Sequence, residues 1–412
     1  MPEICEYATI YEQLNHLLSS RQLKSCDIIG GKWINHPIPM WSIFQSYLPH
    51  LKFVKVYHKA KLLIFKLKKN LTAINNRIEF IIDEEDSQDN KNNDSSQENN
   101  QDMKNDSSQE DKNDSSQEND SQDFLLIDMI NYDEELKEKE RLEKRKFNEE
   151  LEKKKEAFKS EKYMYILITL GMSGNLTNVK EKHSHVRFSL TERDETDDEP
   201  KLNKDDEKVE DNYNIFYYND VRRFGNIYLV FTERDLKNHL NKTAKPIGLT
   251  SNNIPLITEE EFITKVERQV HKPLAKQIMD QKSICSGIGN YLLSEIFYAS
   301  QLNPFVKCSE LTKDEISRFF IEANKVINES YKNKGLSIKD YKDAYGNSGE
   351  HSKHLKVYGR LKDNEGNKVI KKTGPHGRSI YYIKDQVEKG DSSIKDQVDS
   401  SVKNDDYVIV FE

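Results

Sequence analysis

The 412-residue sequence is poor in cysteine, in apolar residues and in long hydrophobic runs, and each shortage excludes something. Its four cysteines (Cys5, Cys26, Cys285 and Cys308) form no CxxC pair and no Cys/His cluster. That spacing argues against a structural zinc site and offers no oxidised disulfide framework. No apolar run reaches the ~20 residues of a membrane-spanning helix, and no signal-peptide pattern precedes the first helical segment. The expectation is an intracellular protein without membrane association.

Apolar residues make up 35% of the chain and charged residues 33%, but the imbalance is local. Asp83–Asp123 holds 15 Asp/Glu against 3 Lys, and Glu192–Asp211 holds 11 acidic residues against 4 Lys/Arg. Removing both stretches from a chain of net charge −8 leaves +11 on the remainder. A basic body with acidic inserts suits a polyanion partner; a surface charged only for solubility has the same composition.

Residues 3–19 read as a helix, apolar at Ile10, Leu14, Leu17 and Leu18, and residues 53–67 as an apolar strand segment containing Lys61. The hexamer NDSSQE then occurs three times, at 93–98, 105–110 and 113–118. It has almost no aromatic or β-branched residues, so it cannot bury enough surface to offset ordering entropy and reads as disordered. Residues 133–160 carry Glu→Lys pairs at i,i+4 (Glu135–Lys139, Glu140–Lys144, Glu149–Lys153) and read as a solvated single helix. The whole span 83–160 is one insertion. Strand patterns resume at 163–169, 185–190, 215–218 and 226–231. From residue 255 the period becomes helical: Thr258 with Glu261 and Thr312 with Glu315 form capping boxes, Pro273 opens a short helix, and Ser283–Gly289 turns into another at Asn290. Strands return at 356–361, 368–372 and 379–383.

Several segments make joint chemical sense around a free N-terminal proline: Pro2-Glu3, Lys61, LGMSG at 170–174, YNDVRRFG at 218–225, GIGNYLLSEI at 287–296 and GRSIYY at 377–382. In this order they resemble the Fpg/Nei family of bifunctional DNA glycosylases, over roughly residues 2–82, 160–190, 214–330 and 350–383. The resemblance implies an α+β fold. A two-layer β-sandwich with an N-terminal helix would cover 2–250, with insertions at about 83–160 and 190–213. A helix-two-turn-helix domain would cover 251–345, a zincless β-hairpin finger 346–384 and a polar tail 385–412.

By that resemblance, removal of Met1 leaves Pro2 as the nucleophile that attacks C1′ of a damaged nucleotide. An α-amino group titrates well below lysine, and a secondary amine gives an iminium directly. Glu3 is placed to shuttle protons. Lys61 corresponds to a lysine that contacts phosphate near the lesion and assists catalysis, with Lys59 a competitor two residues away on the same strand face. Met172, Arg222 and Phe224 match the trio that fills the gap left by a flipped base, which offsets lost stacking; Arg223 is the neighbour that Arg222 could be confused with. Asn290 and Lys282 would hold phosphate between the helices, where Gly287 and Gly289 admit backbone N–H groups, and Asn290 could equally cap its helix. Arg378 would grip flanking phosphates from a hairpin that lacks the four cysteines of a zinc finger, with His376 a turn residue. Thr169 stands where many relatives have histidine and can still hydrogen-bond phosphate; Cys5 stands where proline is usual.

The implied activity is metal- and cofactor-free. A monomer would flip an oxidised base from double-stranded DNA, cleave its glycosidic bond through Pro2 and nick oxidised or abasic sites by β/δ-elimination. Family analogy favours further-oxidised purines and oxidised pyrimidines, with Tyr345, Asn347 and His351 as candidate readers. Two other classes compete. A catalytically inactive damage-binding or architectural protein leaves Pro2-Glu3, Lys61 and Arg378 without purpose. An interaction protein explains residues 83–160 and nothing else.

Overall fold

A computed structural model describes residues 2–18, 21–72, 138–139, 141–146, 148–150, 152–157, 159–191, 214–251, 254–336 and 341–388. The NDSSQE repeats, the second acidic stretch and the tail past residue 388 lie outside the described residues. The chain divides into two compact units. One holds Ile10–Lys242 with Lys339–Asn347, the other Pro2–Thr9, Thr243–Ile338 and Ser348–Glu412. Helix α1 (Ile4–Leu18) gives its first six residues to the second unit and the rest to the first.

The first unit is a β-sandwich. Strands β1 (Leu23–Ile28), β5 (Gly174–Thr177), β6 (Ser184–Leu190) and β7 (Ile215–Asp220) form a sheet in the order β1-β6-β7-β5. Strands β2 (Leu51–Lys59), β3 (Leu62–Lys69), β4 (Tyr163–Thr169) and β8 (Asn226–Val230) form the other, in the order β2-β3-β4-β8. Leu23, Leu176, Phe188 and Phe216 from one sheet and Phe53, Phe65, Ile166 and Ile168 from the other line one small apolar cavity, closed by Leu14 and Leu18 of α1. Each such side chain removed from water contributes about 1.5–3 kcal/mol. The expected strand at 53–67 is a hairpin, because Ala60 adopts φ 50° and Ala60-Lys61 forms a two-residue turn. A short helix α2 (Trp41–Ser46) lies between β1 and β2, and α3 (Glu233–Leu240) follows β8, with Thr232 accepting from the Asp235 N–H at its N-terminus.

Between β3 and β4 the described parts of residues 138–160 are helical. The i,i+4 ion pairs formed there are Arg145–Glu149 and Glu150–Lys154. Glu149 therefore turns toward Arg145 and not toward Lys153, while residues 135 and 140 lie outside the described set.

The second unit packs α4 (Glu259–Glu267), α5 (Leu274–Met279), α6 (Asn290–Ala299) and α7 (Lys313–Lys332) around Phe262, Ile278, Leu293, Phe297, Phe319 and Ile327. Both capping boxes form, at Thr258/Glu261 and Thr312/Glu315. Ile4 and Cys5 join this core and not the sandwich. The Ile4 N–H donates to the Gly287 carbonyl and the Cys5 thiol to that of Ile327. A hairpin of β9 (Val369–Thr373) and β10 (Ser379–Ile383) completes the unit.

Two expectations change here. Residues 356–361 are not a strand, because the N–H groups of Lys356, Val357 and Tyr358 donate to the buried Glu295 carboxylate and so leave no ladder. The polar tail does not begin at 385 either. Lys384–Glu388 is a short helix, α8, whose buried Gln386 accepts from the Ile383 N–H and donates to the Phe297 and Leu302 carbonyls.

Burial lowers the imidazoles of His58 in the first unit and His351 in the second to about 4. Both stay neutral in the fold between pH 6.5 and 4, whereas the unfolded chain protonates them. Their stabilisation is complete above pH 6.5 and is lost as pH falls toward 4, on the order of 1–3 kcal/mol for each. Thermal melts at stepped pH should show a falling midpoint across that window, less steep in His351→Gln. A midpoint flat from pH 6.5 to 4 would contradict it.

Candidate active site and nucleic-acid interface

In the helical unit the first residues are built into a helix terminus. Glu3, 1% exposed, accepts the Gly289 N–H at 2.6 Å and the Tyr291 N–H at 3.1 Å. These are N–H groups that α6 leaves without intrahelical partners. Glu3 is therefore the anion at this terminus, while Gly289 is the N-cap residue and contributes no side chain. A Cβ on Gly289 would lie 2.3 Å from the Glu3 carboxylate. The Gly287 N–H goes to Gln281 Oε1 at 2.8 Å. The glycines of GIGN thus seat the N-terminal segment, and neither N–H faces an open phosphate site as the sequence suggests.

One turn further along α1, Glu6 accepts the Glu3 N–H at 2.7 Å, the Leu336 N–H at 2.7 Å and the Tyr291 hydroxyl at 3.1 Å. Burial raises the Glu6 carboxyl above its usual range, and these hydrogen bonds oppose the rise. Pro2 is buried next to this network.

Asn290 is the first residue of α6 and does not cap it. Its Nδ2 donates to the Ser379 carbonyl at 2.9 Å, and its Oδ1 lies 2.9 Å from His376 Nε2. His376 is thus a turn residue with a partner. Arg378 is exposed at the end of that turn, which the Gly374 N–H closes onto the Arg378 carbonyl at 2.8 Å. Lys282 is exposed on the turn before α6.

Tyr358, which the sequence reading passed over, joins the candidate site through its electrostatic contact with Glu3, Asn290 and Arg378. Burial raises its phenol, the Glu3 carboxylate adds to the rise, and an Asn290 hydrogen bond and the Arg378 guanidinium pull the other way. The only sequence signal was an aromatic residue directly before Gly-Arg. His351 is 2% exposed, its ring beside that of Tyr291, which does not suit a base reader.

The hairpin residues do not fit a zinc ion. All four cysteines lie outside residues 350–388. The Asp363 carboxylate, at the connection before β9, accepts the N–H groups of Glu365 and Asn367 and the Tyr298 hydroxyl. Among the described residues no cluster of His, Cys, Asp and Glu could hold a metal.

The sandwich unit carries the other expected residues. Lys61 lies half-buried in the β2–β3 turn, not within a strand, so the shared-face argument that linked it to Lys59 lapses. Lys59 ends β2, 8% exposed, with its ammonium on the Leu240 carbonyl. Thr169 Oγ1 accepts the Asn226 N–H at 2.9 Å. Met172 is half-buried, and Arg222, Arg223 and Phe224 are exposed, Phe224 to 59%. Tyr345 and Asn347 stand in a turn whose N–H groups donate to Asp343.

Residues 253–342, which contain α4 to α7 with Lys282 and Asn290, match a family profile described as the formamidopyrimidine-DNA glycosylase H2TH domain. The formamidopyrimidine-DNA glycosylase of Rickettsia felis is 30% identical over 229 residues, which cover 53% of this chain and 72% of the relative. The chain belongs to the formamidopyrimidine-DNA glycosylase family. Family members from Herpetosiphon aurantiacus and Lactobacillus delbrueckii subsp. bulgaricus are 30% and 25% identical, and the chain spans 63% and 56% of their lengths. The crystal structure of MutM (Fpg) from Thermus thermophilus superposes with a TM-score of 0.55 at 16% identity, over 92% of this chain and 97% of that one. A Lactococcus lactis Fpg mutant in complex with Fapy-dG-containing DNA gives 0.55 at 15% identity, over 93% and 98%. Those structural likenesses establish the family fold: a β-sandwich unit and a helical H2TH unit.

Replacing Gly289 with alanine should push the Glu3 carboxylate off α6. The expected cost is about 2–4 kcal/mol, from an unpaired buried carboxylate and two orphaned N–H groups. Denaturant unfolding measures it, and a loss below about 0.5 kcal/mol would show that Glu3 is not held there.

Proposed function

We propose that this chain is a DNA glycosylase and abasic-site lyase acting on oxidised bases in duplex DNA, as a monomer and with a zincless finger. The observation that carries the reading is the seat of Pro2-Glu3. The dipeptide is fixed by α6 in the same unit as Asn290, Tyr358 and Arg378. Family membership supports the same reading.

Chemistry begins once Met1 is removed and the Pro2 nitrogen is a secondary amine. Its lone pair attacks C1′ of the damaged nucleotide, and the C1′–N bond breaks as the base leaves with a proton. Glu3 carries a proton to the sugar ring oxygen; the ring opens and leaves a C1′ iminium on Pro2. Loss of a C2′ proton expels the 3′ phosphate, a second elimination expels the 5′ phosphate, and water releases Pro2. Arg378, Lys61, Lys282, Asn290 and Thr169 hold the flanking phosphates. Met172, Arg222 and Phe224 occupy the vacated stack.

Borohydride reduces the iminium and fixes the enzyme to DNA. Protein freed of Met1 should form a covalent adduct with an abasic-site duplex, mapped to Pro2, and Pro2→Gly should reduce its yield sharply. Glu3→Gln should lower base excision by about 10²–10⁴-fold. Tight binding to damaged duplex without any adduct would overturn the enzymatic reading in favour of a damage-binding protein.

A further inference from the structure

Two loops carry the wedge residues of the sandwich unit: 170–174, with Met172, and 221–225, with Arg222 and Phe224. Their backbones meet. Gly171 sits at φ 62°, and a Cβ there would lie 2.6 Å from the Gly225 nitrogen. A Cβ on Gly225 would collide with the Tyr218 hydroxyl and lie 2.4 Å from the Thr169 carbonyl.

One carboxylate ties the pair from inside. Asp220, at the end of β7 and 0% exposed, accepts the Ser173 hydroxyl on Oδ1 at 2.7 Å and the Gly225 N–H on Oδ2 at 2.8 Å. The Tyr218 hydroxyl lies 3.3 Å from Oδ2. Ser173 Oγ in turn accepts the Arg222 N–H at 2.9 Å, so its proton is committed to Asp220. The two loops thus share one acceptor.

One lysine ties the second loop from outside. Lys32, in the 3-10 turn Gly31–Ile34, donates to the Gly225 carbonyl at 2.8 Å and to Asn226 Oδ1 at 2.6 Å. Its ammonium also sits 5.3 Å from the Trp33 ring centroid, and the charge of Asp220 acts on it. Lys32 lies in no motif that marked the site in sequence, and its ammonium is spent on the Gly225 carbonyl and the Asn226 side chain where it could have faced solvent.

We infer that Asp220 and Lys32 are positioning residues for duplex opening: together they hold the Met172 and Arg222-Phe224 loops in the one arrangement that can enter a base stack. This rests on the proposed glycosylase reading and deepens it by separating stack entry from bond cleavage. A clamp on the wedge loops matters when a paired, stacked nucleotide must be extruded. It is dispensable when the abasic site lies in a single strand, with no partner strand to part from and no orphaned base to fill in for.

The test compares wild type with Lys32→Met, Lys32→Arg and Asp220→Asn. One arm reads fluorescence of 2-aminopurine placed opposite an abasic-site analogue in duplex, at saturating protein. The other reads borohydride trapping on a single-stranded abasic site. Lys32→Met and Asp220→Asn should lose most of the fluorescence change, and excision of an oxidised base from duplex should fall by about 10–100-fold. Single-strand trapping should stay within about 2-fold of wild type, and Lys32→Arg should recover most of the signal. Equal losses in both arms, or none in either, would overturn the inference. Lys32 lies outside the core, so Lys32→Met decides the matter if Asp220→Asn does not fold. Absence of wild-type trapping with an intact fluorescence change would count against the lyase reading and leave this inference standing.

Discussion

A carboxylate buried at a helix N-terminus organises the helical unit. Ionised groups removed from water cost several kcal/mol unless hydrogen bonds replace hydration, and the first N–H groups of a helix need acceptors from outside it. Glu3 and α6 meet both needs at once. The arrangement dictates the residues around it: a side-chain-free position at Gly289, a carbonyl at Gly287 turned to the Ile4 N–H, and a second acceptor, Glu6, for the Glu3 N–H. It also explains why Pro2–Thr9 belong with Thr243–Ile338, although sequence proximity suggests the sandwich.

The same economy of side chain to backbone recurs in the hairpin. Glu295 takes three consecutive N–H groups of residues 356–358, Asp363 organises the connection before β9, and Gln386 bridges two carbonyls and an N–H after β10. Ring contacts of Tyr358 with Tyr381 and Phe305 with Tyr382 fill the remaining space. A small hairpin with little core of its own is thereby tied down by directional bonds to α6 and its flanks, and Asn290 adds a direct tie to the turn that carries Arg378.

What the sequence disclosed is what depends on neighbours in the chain. The capping boxes at Thr258 and Thr312, the strands at 163–169 and 379–383 and the amphipathic face of α1 all follow from spacings of two to four residues. The misread features depend on distant partners. Nothing near Lys356 announces that Glu295 will take its N–H, and nothing near Asn290 announces that Glu3, 287 positions away, will satisfy its helix. The turn at Ala60-Lys61 escaped for another reason: alanine in a left-handed conformation leaves no compositional mark. Motif order drew attention to Arg222 and Phe224, but it gave no sign of the bonds from Lys32 to Gly225 and Asn226 or of Tyr358 within electrostatic reach of Glu3.

The β3–β4 pairing, from Leu63↔Ile168 to Lys68↔Tyr163, has a consequence for how this chain can change length. The segment between the strands leaves and re-enters at adjacent rungs of one ladder, with the Lys69 N–H on the Lys162 carbonyl and its ammonium on that of Ala157. Closing a connection across such a rung costs entropy that grows only with the logarithm of its length, about 0.6 kcal/mol per doubling. Chain added between Lys69 and Lys162 therefore leaves the register of the β3–β4 ladder as it is, and the sandwich constrains this connection only at its two ends.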